Sequence, residues 1–115
     1  MRRTGPDQRI RDLVLARADA YGSPRCERCG AKPPQHMHHR KPRGRGGSSD
    51  PGINSPANLT AICAGCHDGI ETHRSNAYRT GWLVYRQHDP AATPLTYRGS
   101  LALLDPHGTV TTVEQ

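Results

Sequence analysis

The stretch QHMHHR at residues 35–40 puts three histidines, His36, His38 and His39, within four positions. A neutral imidazole can give its lone pair to a divalent ion or accept a proton, because its unperturbed pKa of about 6.5 is close to ambient pH. Neighbouring histidines divide those two tasks only if one of them stays off the metal. A second set of chemically capable residues surrounds the first: CERC carries Cys26 and Cys29, and CAGCH carries Cys63, Cys66 and His67.

Two C-x-x-C pairs in one short chain have the spacing of a four-thiolate zinc site, which is closed to water and therefore structural. Disulfides would need an oxidising compartment. The opening MRRTGPDQRIRD lacks the apolar core of a secretory signal, and no run reaches the length of a membrane span. The expectation is a zinc-stapled protein of the cytoplasm, with no membrane partner.

The composition calls for such a staple. Of 115 residues, 33 % are apolar, 4 % aromatic and none is Phe, whereas an ordinary domain is about 45–50 % apolar. A core this poor generally needs a metal or disulfides. The net charge is +6, and its placement is uneven. Residues 1–45 hold 12 Arg and Lys against 4 acids, and residues 46–115 hold 4 against 6. The basic excess is densest at Arg40, Lys41, Arg43 and Arg45, a pattern suited to a polyanion. These four are the candidate residues for binding a polyanion such as a nucleic acid, set among glycines that let backbone approach phosphate.

The elements that must position these groups follow from periodicity and turn residues. Ile10, Leu13, Val14, Ala18 and Tyr21 recur at helical spacing, so a helix is expected over residues 7–21 with Gly22 as its stop. QHMHHR reads as a short extended segment. Alternation along a strand places His36 with His38 and sends His39 the other way, which leaves His36 open as a ligand. KPRGRGGSSDPGINSP reads as a loop. A second helix is expected over about 68–79, with Gly81 as its stop, and GWLVYR as a strand. DPAATP reads as a linker, and SLALLDPHGTVTTVE as a hairpin turning at Asp105, Pro106 and Gly108. Trp82 and Tyr85 are expected in the core. On a helix starting near His67, the same face one turn on carries Glu71, while His73 lies well round the helix.

In chain order these features run CxxC, His-His, Gly-rich loop, Asn-Leu, CxxC-His, from DLVLARADAYGSPRCERCG through MHHRKPRGRGG and NSPANLTAICAGCH to IETHRSNAYRTGWLV. The ordered set resembles the HNH endonuclease family, in its zinc-stapled phage and bacterial form, over about residues 12–86. The resemblance implies an α+β chain with a small ββα-metal core, a four-cysteine structural zinc site, a flanking N-terminal helix and a C-terminal β-hairpin. It implies one nuclease domain over 1–115, with a motif core at about 24–82 and an extension at about 83–115. His39 matches the general base, Asn58 the middle letter that ties the loop and orients the base, and His38 and His67 the metal ligands. Glu71 is the third ligand and His73 its alternative. Many family members carry His or Asn at the comparable place, so Glu71 is a departure, and its hard oxygen suits Mg²⁺ or Mn²⁺.

The activity so implied is hydrolysis of DNA phosphodiester bonds with one catalytic divalent ion (Mg²⁺, Mn²⁺, Ni²⁺ or Zn²⁺) and with zinc on Cys26, Cys29, Cys63 and Cys66. Members of this kind lie beside phage packaging genes, which makes a phage terminase the implied protein partner and host cytoplasm the implied place. The sequence is silent on oligomeric state. Two rival readings stand beside the nuclease: a non-catalytic zinc module that binds nucleic acid, and a phage assembly partner that uses the C-terminal hairpin.

Overall fold

The computed structural model describes residues 5–42 and 51–113; Arg43 and Arg45 fall outside them. The chain is a small mixed α/β unit. In order it forms α1 (Gln8–Ala18), β1 (Asp19–Ala20), β2 (Ser23–Pro24), β3 (His36–His39), β4 (Leu59–Ile62), α2 (Ala64–Thr72), α3 (Arg74–Arg79), β5 (Leu95–Tyr97), β6 (Ser100–Leu104) and β7 (Val110–Thr112).

Asp7 starts α1 by accepting the Ile10 amide at 3.0 Å, which pairs one of the donors a helix start leaves open. The helix ends at Ala18 rather than at Tyr21. Tyr21 and Gly22 take positive φ values of 57° and 93°, the paired left-handed geometry of a tight hairpin turn, and β1 and β2 pair antiparallel across it. Gly22 is thus a hairpin residue and not a helix stop. Val14 and Ala18 pack with Leu59 and Ala61 of β4.

β3 and β4 run antiparallel, with His38 opposite Thr60 and His39 opposite Leu59. β4 is buried throughout, and α2 follows it at once. The expected single helix over 68–79 is replaced by two. α2 begins at Ala64, just after Cys63, and stops before His73, whose φ of −122° and ψ of 62° break the helical path before α3.

GWLVYR is not a strand. The amides of Trp82 and Leu83 both donate to the Ala77 carbonyl, closing the end of α3, and the Val84 amide donates to Arg40 O at 2.8 Å. Gly81 makes this seam feasible. Its φ is 83°, and a Cβ there would collide with the Pro94 carbonyl and the Leu95 backbone. DPAATP is likewise more than a linker: it holds a 3₁₀ turn over Pro90–Ala92, capped by Asp89.

The expected C-terminal hairpin exists as β6–β7, where Asp105 accepts the amides of His107 and Thr109. It is extended to three strands by β5, which joins β6 through a turn with positive φ at Arg98 and Gly99. Leu95, Ala102 and Leu104 of this sheet share a core with Trp82, Ile70, Cys26, Cys63 and Cys66. Trp82 is buried as expected, whereas Tyr85 is exposed and stacks on Tyr78 at 4.1 Å.

With few aromatics available, polar side chains fill part of the interior. Arg17 is buried and grips Glu27 through Nε at 2.6 Å and Nη2 at 3.0 Å, while also donating to the Pro56 and Leu59 carbonyls. Glu27 in turn accepts the Ala61 amide and the Tyr97 hydroxyl. Burial, with the Glu27 charge alongside, pushes the Tyr97 hydroxyl well above its ordinary pKa. Among the described residues, no helix is long and apolar enough to cross a membrane.

Candidate metal and catalytic centre

The four cysteines meet where the loop after β2 faces the start of α2. One Sγ from each lies within 4.8 Å of the others. Cys29 Sγ and Cys63 Sγ are 3.9 Å apart, close to the separation of about 3.8 Å that two thiolates take on a tetrahedral zinc with bonds of about 2.3 Å. No disulfide joins them. Cys26, Cys63 and Cys66 are buried and Cys29 is exposed. The Cys29 and Ala31 amides point at sulfur, each at 3.5 Å. Burial works to raise the Cys29 thiol, but the Ala31 amide and the Cys26 and Cys66 groups outweigh it and bring it down to about 7. Burial pushes Cys66 up to about 12. Four thiols sharing one pocket with sulfur-directed amides form a donor set that fits zinc.

A second cluster lies across β3 and α2. His38, His67 and Glu71 each offer one ligand atom, again within 4.8 Å of one another. His38 is buried, and its Nε2 donates to the Trp82 carbonyl at 2.8 Å. That bond places the ring proton on Nε2 and leaves the Nδ1 lone pair as the one the ring can offer to a metal. Burial depresses the His38 pKa to about 4, against an opposing effect from the Trp82 carbonyl, so the ring is neutral at pH 7. The His67 ring stands edge-on to His38 at 6.0 Å between centroids. Glu71, one turn further along α2, also accepts Arg74 Nη1 at 2.9 Å in an exposed ion pair.

Of the two alternatives left open by the sequence, neither enters this cluster. His36 shares the His38 face, as strand alternation requires, but stacks on the His67 ring at 4.5 Å. His73 sits exposed at the break between α2 and α3.

His39 points the other way. Its Nε2 lies 2.8 Å from Asn54 Oδ1, a contact with no antecedent in the sequence reading. Asn58 is buried and ties the two ends of the Gly-rich loop. Its Oδ1 accepts the Lys41 amide at 2.7 Å, and its Nδ2 donates to the carbonyls of Ile53 at 2.9 Å and Lys41 at 3.2 Å.

Arg40 corrects the expectation of a phosphate-gripping residue. It is fully buried, and Nε, Nη1 and Nη2 donate to the carbonyls of Gly81, Ala57, Pro90 and Thr93 at 2.7–3.0 Å. Burial lowers its pKa to about 10, so it keeps its charge at pH 7. A guanidinium so enclosed braces three chain segments and cannot reach a polyanion. Lys41 remains half-buried at the loop's edge, beside a cavity of about 630 Å³ that it lines with Asn58, Arg86 and His88. Arg43 and Arg45 lie outside the described residues.

Comparison with known proteins gives one finding. Residues 26–72 match the family model for HNH endonuclease. The matched stretch is less than half of the chain, yet it holds both clusters, His39 and Asn58. No curated protein and no solved structure matches the chain.

Proposed function

From the premise that residues 26–72 match the HNH endonuclease model, we propose that the protein is a metal-dependent DNA endonuclease with the His38, His67 and Glu71 cluster as its catalytic metal site. The observation that carries this reading is the convergence of two imidazoles and a carboxylate within 4.8 Å of one another, with His38 on the strand that also carries His39 and with His67 and Glu71 on α2. The β3–β4–α2 segment is then the ββα-metal core, within one nuclease domain over residues 1–115. Three protein donors would leave positions open on an ion, as a catalytic site requires and a closed thiolate site does not. Mixed nitrogen and oxygen donors suit Mg²⁺, Mn²⁺, Ni²⁺ or Zn²⁺. When bound there, such an ion supplies Lewis-acid stabilisation of charge on the scissile phosphate and leaving oxygen.

The remaining work belongs to the chain. His39 takes a proton from water, whose oxygen bonds to phosphorus as the bond to the 3′ oxygen breaks; the departing 3′ oxygen takes a proton from solvent, giving 5′-phosphate and 3′-hydroxyl ends. Asn58 holds the loop ends so that His39 keeps its place. Lys41, with Arg43 and Arg45, makes the phosphate contacts that position the DNA without reading its sequence. Zinc on the four cysteines is structural. A phage origin and a terminase partner extend this proposal, and co-purification with a terminase subunit tests that extension.

The deciding experiment is nicking of supercoiled plasmid by the full chain in EDTA, Mg²⁺, Mn²⁺, Ni²⁺ or Zn²⁺, alongside His39→Ala. Metal-dependent nicking is expected, lowered by about 10²- to 10⁴-fold in the variant, the usual contribution of a general base. Equal nicking by both proteins in every metal would overturn the assignment and favour a zinc module that only binds nucleic acid.

A further inference from the structure

We propose that Asn54 is the residue that positions the base. Its side-chain oxygen holds His39 with the ring proton on Nε2, so that Nδ1 is the atom that takes the proton from water. The inference rests on the reading of His39 as the base, and adds a residue and an atom that reading does not contain.

The geometry starts from a bond of 2.8 Å between His39 Nε2 and Asn54 Oδ1. An amide oxygen can only accept, so the imidazole nitrogen facing it must carry hydrogen, and a neutral imidazole then has its lone pair on the other nitrogen. An amide does not titrate, so this preference does not depend on pH.

Asn58, the residue expected to orient the ring, already has its amide engaged with Lys41 and Ile53. It acts on His39 at one remove. The Ile53 carbonyl is held by Asn58 Nδ2, the Ile53 side chain is buried, and the Ser55 amide closes a turn onto Gly52. Asn54 lies between these fixed points, so its side chain is aimed although no helix or strand contains it.

The consequence for rate follows from charge. When His39 takes its proton, both ring nitrogens carry hydrogen and the bond to Asn54 becomes charge-assisted, roughly twice as strong as the neutral one. An interaction that strengthens as the reaction proceeds raises kcat and leaves substrate binding alone.

The test uses the full-length, zinc-loaded protein and has two independent readouts. Two-bond ¹H–¹⁵N correlation at pH 8, where an ordinary imidazole is neutral, should show His39 protonated on Nε2 in the wild type and a mixture of tautomers in Asn54→Leu. A wild-type ring protonated on Nδ1 would mean that Asn54 donates rather than accepts, and overturns the proposal. In plasmid nicking, Asn54→Leu should lose about 10- to 100-fold in kcat, a common cost of removing a ligand-orienting group, with KM unchanged. Asn54→Asp, which keeps the acceptor and the shape, should recover most of the loss. Wild-type kcat in Asn54→Leu, or equal losses in both folded variants, sinks the inference. If His39→Ala nicks as well as wild type, the base assignment fails instead, and the tautomer measurement still judges the Asn54 contact.

Discussion

The two ligand clusters are built from the same short stretch of chain and held together by different means. Each takes donors from α2 and from the segment that precedes β4, and Cys66 and His67 are consecutive residues. Around the cysteines stand sulfur-directed amides, the Arg28 side chain on Cys66, Arg98 on the Cys26 carbonyl, and an apolar core that Cys26, Cys63 and Cys66 share with Trp82 and Ile70. Around the histidines, the frame is a set of buried hydrogen bonds: Arg40 on four carbonyls, Asn58 on the loop ends, and Trp82 O on His38. A centre that must stay shut can leave its geometry to the ion that fills it. One that must admit water and phosphate needs its shape made beforehand, by groups that remain when the ion is gone.

That contrast can be broken or sharpened in order of expected effect. Removing zinc from the cysteines, by strong chelation or by Cys63→Ser, should abolish folding. Structural zinc contributes about 10–16 kcal/mol in small zinc domains, more than the total stability of about 5–15 kcal/mol that such chains possess. Circular dichroism should show loss of helix, and a native-like spectrum without zinc would break the comparison.

Next in size is Arg40→Leu. It leaves buried carbonyls unpaired and should destabilise the folded state by about 3–5 kcal/mol in urea melts while zinc stays bound. A residue on phosphate would instead lower the salt slope of DNA binding by about one; an unchanged melt with that altered slope would return Arg40 to the surface.

Acid comes third. His38 is neutral in the fold with a pKa of about 4 and near 6.5 when unfolded, so the unfolded chain binds more protons between those values. Stability is therefore full above about pH 6.5 and falls as pH drops toward 4, by up to about 3 kcal/mol. His38→Gln, with zinc bound at the cysteines, should show that much less acid sensitivity.

The smallest effect belongs to Glu71→Gln. It should weaken divalent-ion binding at the histidines by about 10- to 100-fold, seen by calorimetry, and leave the melt unchanged because the side chain is exposed. A lowered melt would show that the histidine cluster, too, relies on an ion for its shape.

How far the sequence could be read depended on whether a residue's surroundings are local. The C-x-x-C pairs, the step from His67 to Glu71 along one helix face, the Asp7 helix start and the Asp105 turn are all set within a few residues, and each was readable. Arg40 was not, since nothing in RKPRGRGG separates a guanidinium that faces solvent from one that four distant carbonyls enclose. Arg17 gave no signal of its own either, because its partner Glu27 lies beyond a hairpin. α2 begins early because the chain turns into the helix at Cys63, directly after β4, and the first helical amide, that of Ala64, is accepted by Gln35 Oε1 from a distant segment. The Trp82–Val84 run has the composition of a strand, but its amides close onto α3 and Arg40. Asn54 gave no signal because its value comes from facing His39 across a loop closure.

Cys66 and His67 sit side by side on a helix, where each residue advances about 100° around the axis. One turn of α2 thus serves as a common axle for two sites that look in different directions. Whatever seats the sulfur also sets the heading of the imidazole, with a single peptide bond between cause and effect. A newly made chain short of zinc has no firm axle, and its histidines cannot come to bear on anything. If the cysteines hold zinc and the histidines do the proposed work, metal supply becomes a safety catch on that work.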